Sequence, residues 1–205
     1  MQEASGPPAL GTPTSGQLSE PPLQALLADG GLAGEWLLDP ARSTIRLRSK
    51  SMLGLARVVG VFREISGYGT VAPGGKATGT ITIATASLDT QNARRDTHLR
   101  SADFFDSETH PDILFAADSI RPADEGVVVT GALTVRERTE RLSFPATASV
   151  RDGEVRLDAE VVINRADFGL TWNFMGTVAT NNTITIRAVF TRATFPGNEA
   201  RGASQ

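Results

Sequence analysis

The residues whose types and spacing suit chemistry crowd into one stretch, NARRDTHLRSADFFDSETHPDILF, residues 92–115. It holds both histidines of the chain, His98 and His110, together with Asp96, Asp103 and Asp106 and the arginines Arg94, Arg95 and Arg100. Three readings compete. His98 with Asp96 or Asp103 is the acid–base pair of an enzyme acting on a lipid or a small molecule. Asp96, His98, Asp103, Asp106 and His110 are also the donor types of a metal site. Zinc, however, wants its ligands at hairpin or helical spacing, and this segment reads as neither extended nor regularly helical. The third reading is structural: Asp96 N-caps a turn over Thr97-His98-Leu99, and Ser101 N-caps one over Ala102-Asp103-Phe104. Leu99, Phe104 and Phe105 then form the apolar side of two short turns, clamped by pairs between the arginines and the aspartates. The structural reading is preferred, so no catalytic residue, no metal and no cofactor is assigned.

The rest of the chain supports that choice. No G-x-S-x-G, H-E-x-x-H, Walker or G-x-G-x-x-G motif occurs. The absence of cysteine excludes thiolate chemistry, disulfides and Cys-based metal sites. A net charge of −3, with basic residues scattered among acids as in VRERTER and VRDGEVRLD, gives no footprint for nucleic acid. No run approaches the ~18 apolar residues of a membrane span. The opening MQEASGPPALGTPTSGQLSEPP lacks the basic and apolar regions of a secretory signal. The expectation is a cytoplasmic protein without integral membrane association.

The elements that must position the polar stretch are strands. Residues 1–18 and 196–205 read as disordered tails, poor in apolar residues. Residues 19–34 read as a short amphipathic helix and linker, with Leu23, Leu26 and Leu27 on one face and Gly30-Gly31 at its end. Those leucines must bury either on the main domain or on a partner chain, a homodimer being the simplest such partner. From Trp36 the apolar period becomes two, as in EVRLDAEVVIN (154–164), RLSFPATASV (141–150), VVVTGALTV (127–135), GTITIATASL, NTITIRAVFTR and STIRLRS. Asp152-Gly153 marks a tight turn. About eight antiparallel strands in one sheet system make an all-β sandwich or barrel over 35–195. Small residues on the apolar faces (Ala84, Ala116, Ala146, Ala148, Ala159, Ala188) favour one sheet closed on itself.

The polar stretch also resembles the signature of a known family. N-x-x-R-D-x-H-L-R-S-x-D-F-F-D followed by proline and I-x-F, here Asn92 to Asp106 with Pro111, Ile113 and Phe115, is similar to the YceI-like family pattern. Trp36, Asp39, Pro40, Ser43, Gly60, Phe62 and Gly67 agree in order, as do Gly131, Leu133 and Thr134, and Arg165, Asp167, Phe168 and Gly169. The likeness spans residues 35–192. It implies an eight-stranded antiparallel lipocalin-like barrel holding a long apolar lipid, a polyisoprenoid, an isoprenoid quinone or similar, for storage, transport or sensing and without catalysis. The chain departs from the pattern at Arg136-Glu137-Arg138, where relatives carry a glycine, and in TWNFMGTVATNNTITI, which lacks a familiar acid.

On this reading the lumen is lined by Ile45, Leu47, Phe62, Phe115, Leu133, Val135, Phe144, Val161, Ile163, Trp172, Phe174, Met175, Ile184 and Ile186. Arg95, His98 and Arg100 are the candidates to meet a polar headgroup at the barrel mouth. A barrel packed solid, with no ligand and the leucine helix docking a partner, is the remaining alternative.

Overall fold

Alternation of apolar and polar side chains produces almost every element that follows. The computed structural model describes residues 23–51, 56–123, 126–171 and 179–194. The expected tails, and Trp172, Phe174 and Met175, lie outside those residues. A short helix, α1 (Leu23–Ala28), leads into β1 (Gly34–Leu38), β2 (Thr44–Ser51), β3 (Ala56–Phe62), β4 (Ile65–Val71), β5 (Ala77–Ala84) and β6 (Leu88–Asp89). Helix α2 (Ala93–Arg100) interrupts the strands. It is followed by β7 (Asp112–Ala123), β8 (Gly126–Val135), β9 (Arg138–Arg151), β10 (Glu154–Asn164) and β11 (Asn181–Arg192).

Hydrogen bonding runs β1-β4-β5-β7-β8-β9-β10-β11 and returns to β1, which closes an antiparallel barrel of eight strands among the described residues. The other three segments extend strands of that ring. β2 continues β1 along β11, β3 runs on into β4, and β6 resumes the line of β5 beside β3. The barrel expected from the sequence is thus the observed fold, with its first strands bent.

The first bend shows how the chain tolerates it. β11 pairs with β2 through Arg187 and with β1 from Phe190. At the hand-over, the Val189 N–H donates to Ser43 Oγ (3.0 Å) and its carbonyl accepts from the Asp39 N–H (2.8 Å). The corner is an Asx turn in which Asp39 Oδ1 accepts from the Ala41 and Arg42 amides. No backbone group of Val189 is left buried and unpaired. A hairpin turn and a β-bulge are equally local in origin. Asp152 and Gly153 both have positive φ (51° and 76°), the two-residue turn that matches strand twist. In β7 the register slips between Ala117 and Ser119, and the facing residue is Gly131, where a Cβ would overlap the Ala116 carbonyl.

Inward residues form one core cluster at the α2 end of the barrel and a second toward α1. A third, built on Leu27, Leu32 and Trp36, joins α1 to the barrel, so the helix's leucines bury on their own chain. The Trp36 indole N–H donates to the Leu32 carbonyl (3.0 Å), and Arg192 lies over its ring while donating to the Ala33 and Gly31 carbonyls. Ala146, Ala148, Ala159 and Ala188 do face inward. Ala116 and Ala84 do not: Ile113, Phe115 and Ala117 are the inward set on β7, and Ile81 and Ile83 on β5.

Candidate ligand cavity

The polar stretch becomes a cap over one barrel end. Asn92, not Asp96, is the N-cap of α2: its side chain accepts from the Arg95 N–H (3.0 Å). Asp96 falls inside the helix and is buried, 7% exposed. Ser101 ends the helix and sends its hydroxyl back to the His98 carbonyl (2.8 Å), so it caps no second helix. The chain then folds tightly, with Phe105 N–H donating to Leu99 O and Asp106, at φ 51°, donating to Ser101 O. This turn drives Phe104 and Phe105 into the core edge-to-face, ring centroids 4.9 Å apart, and Phe105 meets Phe62 at 6.3 Å.

The cap is tied down through Thr90 rather than by arginine–aspartate pairs. Asp96 Oδ1 accepts from the Thr90 N–H (3.1 Å) and hydroxyl (2.5 Å). The same hydroxyl accepts from Arg95 Nε (2.7 Å), while Arg95 Nη2 donates to the Thr90 carbonyl (3.0 Å). One buried hydroxyl therefore links cation and anion. Arg100 turns elsewhere and donates to the Leu88 carbonyl (3.0 Å), so of the three mouth candidates only Arg95 and His98 face the interior. Asp103 is exposed, which removes it from any buried pair with His98. His110 stands 3.9 Å from Asp106 and from Glu137, apart from the cavity. Among the described residues no three acidic or histidine side chains are grouped to hold a metal.

Beneath the cap lies a cavity of about 800 Å³. Ile45, Leu47, Phe62, Phe115, Leu133, Val135, Phe144, Val161, Ile163, Ile184 and Ile186 all line it. Every described residue expected in the lumen is therefore there. Sequence reasoning missed its polar side: Ser49, Thr90, Asn92, Arg94, Arg165 and Asn182 line it as well. Exposure grades across this rim, from exposed Asn92 and Arg94, through half-buried Arg95 and His98, to buried Thr90. Asn182 is buried too, and among the described residues its Oδ1 has no hydrogen-bond partner. Arg165, 2% exposed, donates to the Leu170 carbonyl (2.6 Å) and the Ala179 carbonyl (3.1 Å), pinning the 165–170 turn to the start of β11. Burial draws its pKa below the ordinary arginine value.

A second, smaller void of about 130 Å³ lies toward α1. Its wall is almost wholly apolar and rich in small residues, and Leu23, Leu27, Leu32 and Trp36 close its end. Phe115, Phe144, Ile81 and Ile186 border both spaces, the two phenyl centroids 5.7 Å apart. An unfilled apolar void of this size costs about 3 kcal/mol at ~24 cal/mol per Å³. The larger cavity falls within the range of about 300–1,000 Å³ typical of small-molecule sites.

Comparison with known proteins matches the barrel as a whole. The model of the YceI-like domain matches residues 36–190. Protein YceI of Escherichia coli is 33% identical over 96 residues, 46% of this chain and 50% of that protein, so the chain spans about half the length of the curated relative it matches. The crystal structure of BcnA from Burkholderia cenocepacia superposes with a TM-score of 0.69 at 26% identity, covering 77% of this chain and 99% of that one. A polyisoprenoid binding domain from Saccharophagus degradans, implicated in plant cell wall breakdown, gives 0.62 at 14% identity over 77% and 98%, a likeness of fold.

Proposed function

The chain belongs to the YceI-like domain family, and from that premise we propose that its cavity holds the tail of one long apolar lipid, of polyisoprenoid or isoprenoid-quinone type, without catalysis. The observation that carries this reading is the cavity of about 800 Å³, apolar over most of its wall and polar at one rim. Burying an isoprenoid tail there is worth up to ~0.8 kcal/mol per carbon relative to water, so each five-carbon unit adds as much as about 4 kcal/mol without any reacting group. The tail enters beside α2. Its polar end stays near Asn92, Arg94, Arg95 and His98, and Asn182 Oδ1 is placed to accept from the hydroxyl of a prenol-type or reduced-quinone ligand. The buried Thr90–Asp96–Arg95 link holds α2 over the opening and takes no part in turnover. Such a complex serves storage, transport or sensing of the lipid.

Native mass spectrometry of the full chain purified from its own host is the test. A mass increment of one hydrophobic molecule per chain is the expected result. A chain of bare polypeptide mass, with nothing extracted by organic solvent, overturns the reading.

A further inference from the structure

We propose that the small void beyond the Phe115–Phe144 neck sets the length of the bound tail, so that the barrel selects an isoprenoid of about seven units. The inference rests on the lipid reading above and adds a measure of length to it. Three features carry it. The void is continuous in wall with the main cavity, sharing Phe115 and Phe144, whose rings stand 5.7 Å apart and tilted at 42°. Its own wall is kept empty by small side chains, Ala148 and Ala159 among them, where leucines would fill it. Its far end is shut by Leu27 and Trp36, both buried, so a tail that reaches them goes no farther.

The volumes give the length. An apolar cavity of ~150 Å³ admits one benzene, six carbons, so a void of about 130 Å³ takes one terminal five-carbon isoprene unit. On the same scale the main cavity, at about 800 Å³, takes roughly six more. A shorter tail leaves the void unfilled. A longer one leaves a unit in water at the mouth, which disfavours it by at least about tenfold.

The full chain is stripped of lipid and incubated with an equimolar mixture of all-trans prenols of four to nine isoprene units in detergent. The protein is repurified, and the bound prenols are extracted and quantified by mass. The wild type is expected to enrich one length near seven units. Ala148→Leu and Ala159→Leu, on adjacent strands, each fill the void and shift the preferred length down by one unit with total bound prenol unchanged, a total that also reports correct folding. The same length distribution in wild type and both alanine variants, or a distribution that mirrors the input, overturns the length selection and leaves the lipid reading standing. No prenol of any length on the wild type overturns both.

Discussion

Thr90→Val is the sharpest probe of how the cap is held. Thr90 is buried, and its hydroxyl donates to Asp96 at 2.5 Å and accepts from Arg95 at 2.7 Å. Valine keeps the shape and removes both bonds. A hydrogen bond to a charged group is worth about 1.5–3 kcal/mol, so two would total roughly 3–6 kcal/mol. Asp96 keeps the Thr90 N–H and Arg95 keeps the Thr90 carbonyl, and half-buried Arg95 recovers water. The expected loss is therefore near the lower end, about 3 kcal/mol. Equilibrium urea unfolding at neutral pH reads it as a lower midpoint at unchanged slope. Thr90→Ser, which retains the hydroxyl, should lose no more than about 1 kcal/mol. Combining Thr90→Val with Asp96→Asn should show a coupling of at least about 1 kcal/mol. A loss below about 0.5 kcal/mol for Thr90→Val, or one equal to that of Thr90→Ser, refutes the idea that this hydroxyl ties the cap down.

Asn182→Leu removes a buried acceptor that has no partner among the described residues, so the lipid-free protein should gain about 1 kcal/mol in urea unfolding while retaining less lipid through purification. Leu27→Ala, at the foot of the barrel, should cost about 2 kcal/mol and speed hydrogen exchange in α1, because the third core cluster is built on that residue. The pKa of Asp158 is held below its ordinary value, chiefly by Arg156 and also by Arg187, and those of Asp39, Asp89 and Asp118 are lowered by Arg42, Arg63 and Arg141. A depressed folded pKa means stability that is present above the ordinary value of 3.8 and lost as pH falls through the folded one. Thermal melts should therefore weaken below pH 3.8, and Asp158→Asn should flatten that fall.

What the sequence made legible follows from periodicity. EVRLDAEVVIN became β10 residue for residue, because charges at every second position leave one register. Helix α2 escaped detection for the opposite reason: ARRDTHLR offers only Ala93 and Leu99 as apolar residues, six apart, so no helical stripe exists to read. Its Asn92 cap has arginine rather than glutamate three residues on, and so lacks the capping-box pattern. Ala116 was misplaced because a bulge two residues away disturbs the alternation between Ile113 and Ile120. The apolar wall was readable strand by strand, but its polar rim was not. Asn182 and Arg165 come from the start of β11 and a turn after β10, and only the closed sheet brings them to the cavity beside α2.

Leu133 lines the main cavity alone and pairs across the sheet with Phe115, so Leu133→Trp adds bulk to open space and should change unfolding stability by no more than about 1 kcal/mol. Wild type and Leu133→Trp, expressed in the native host and purified side by side, are extracted with organic solvent and their lipid weighed by mass spectrometry against protein. A lumen that holds the ligand predicts near one isoprenoid-type lipid per wild-type chain and little on the blocked variant. Equal lipid on both, or none on the wild type, contradicts it.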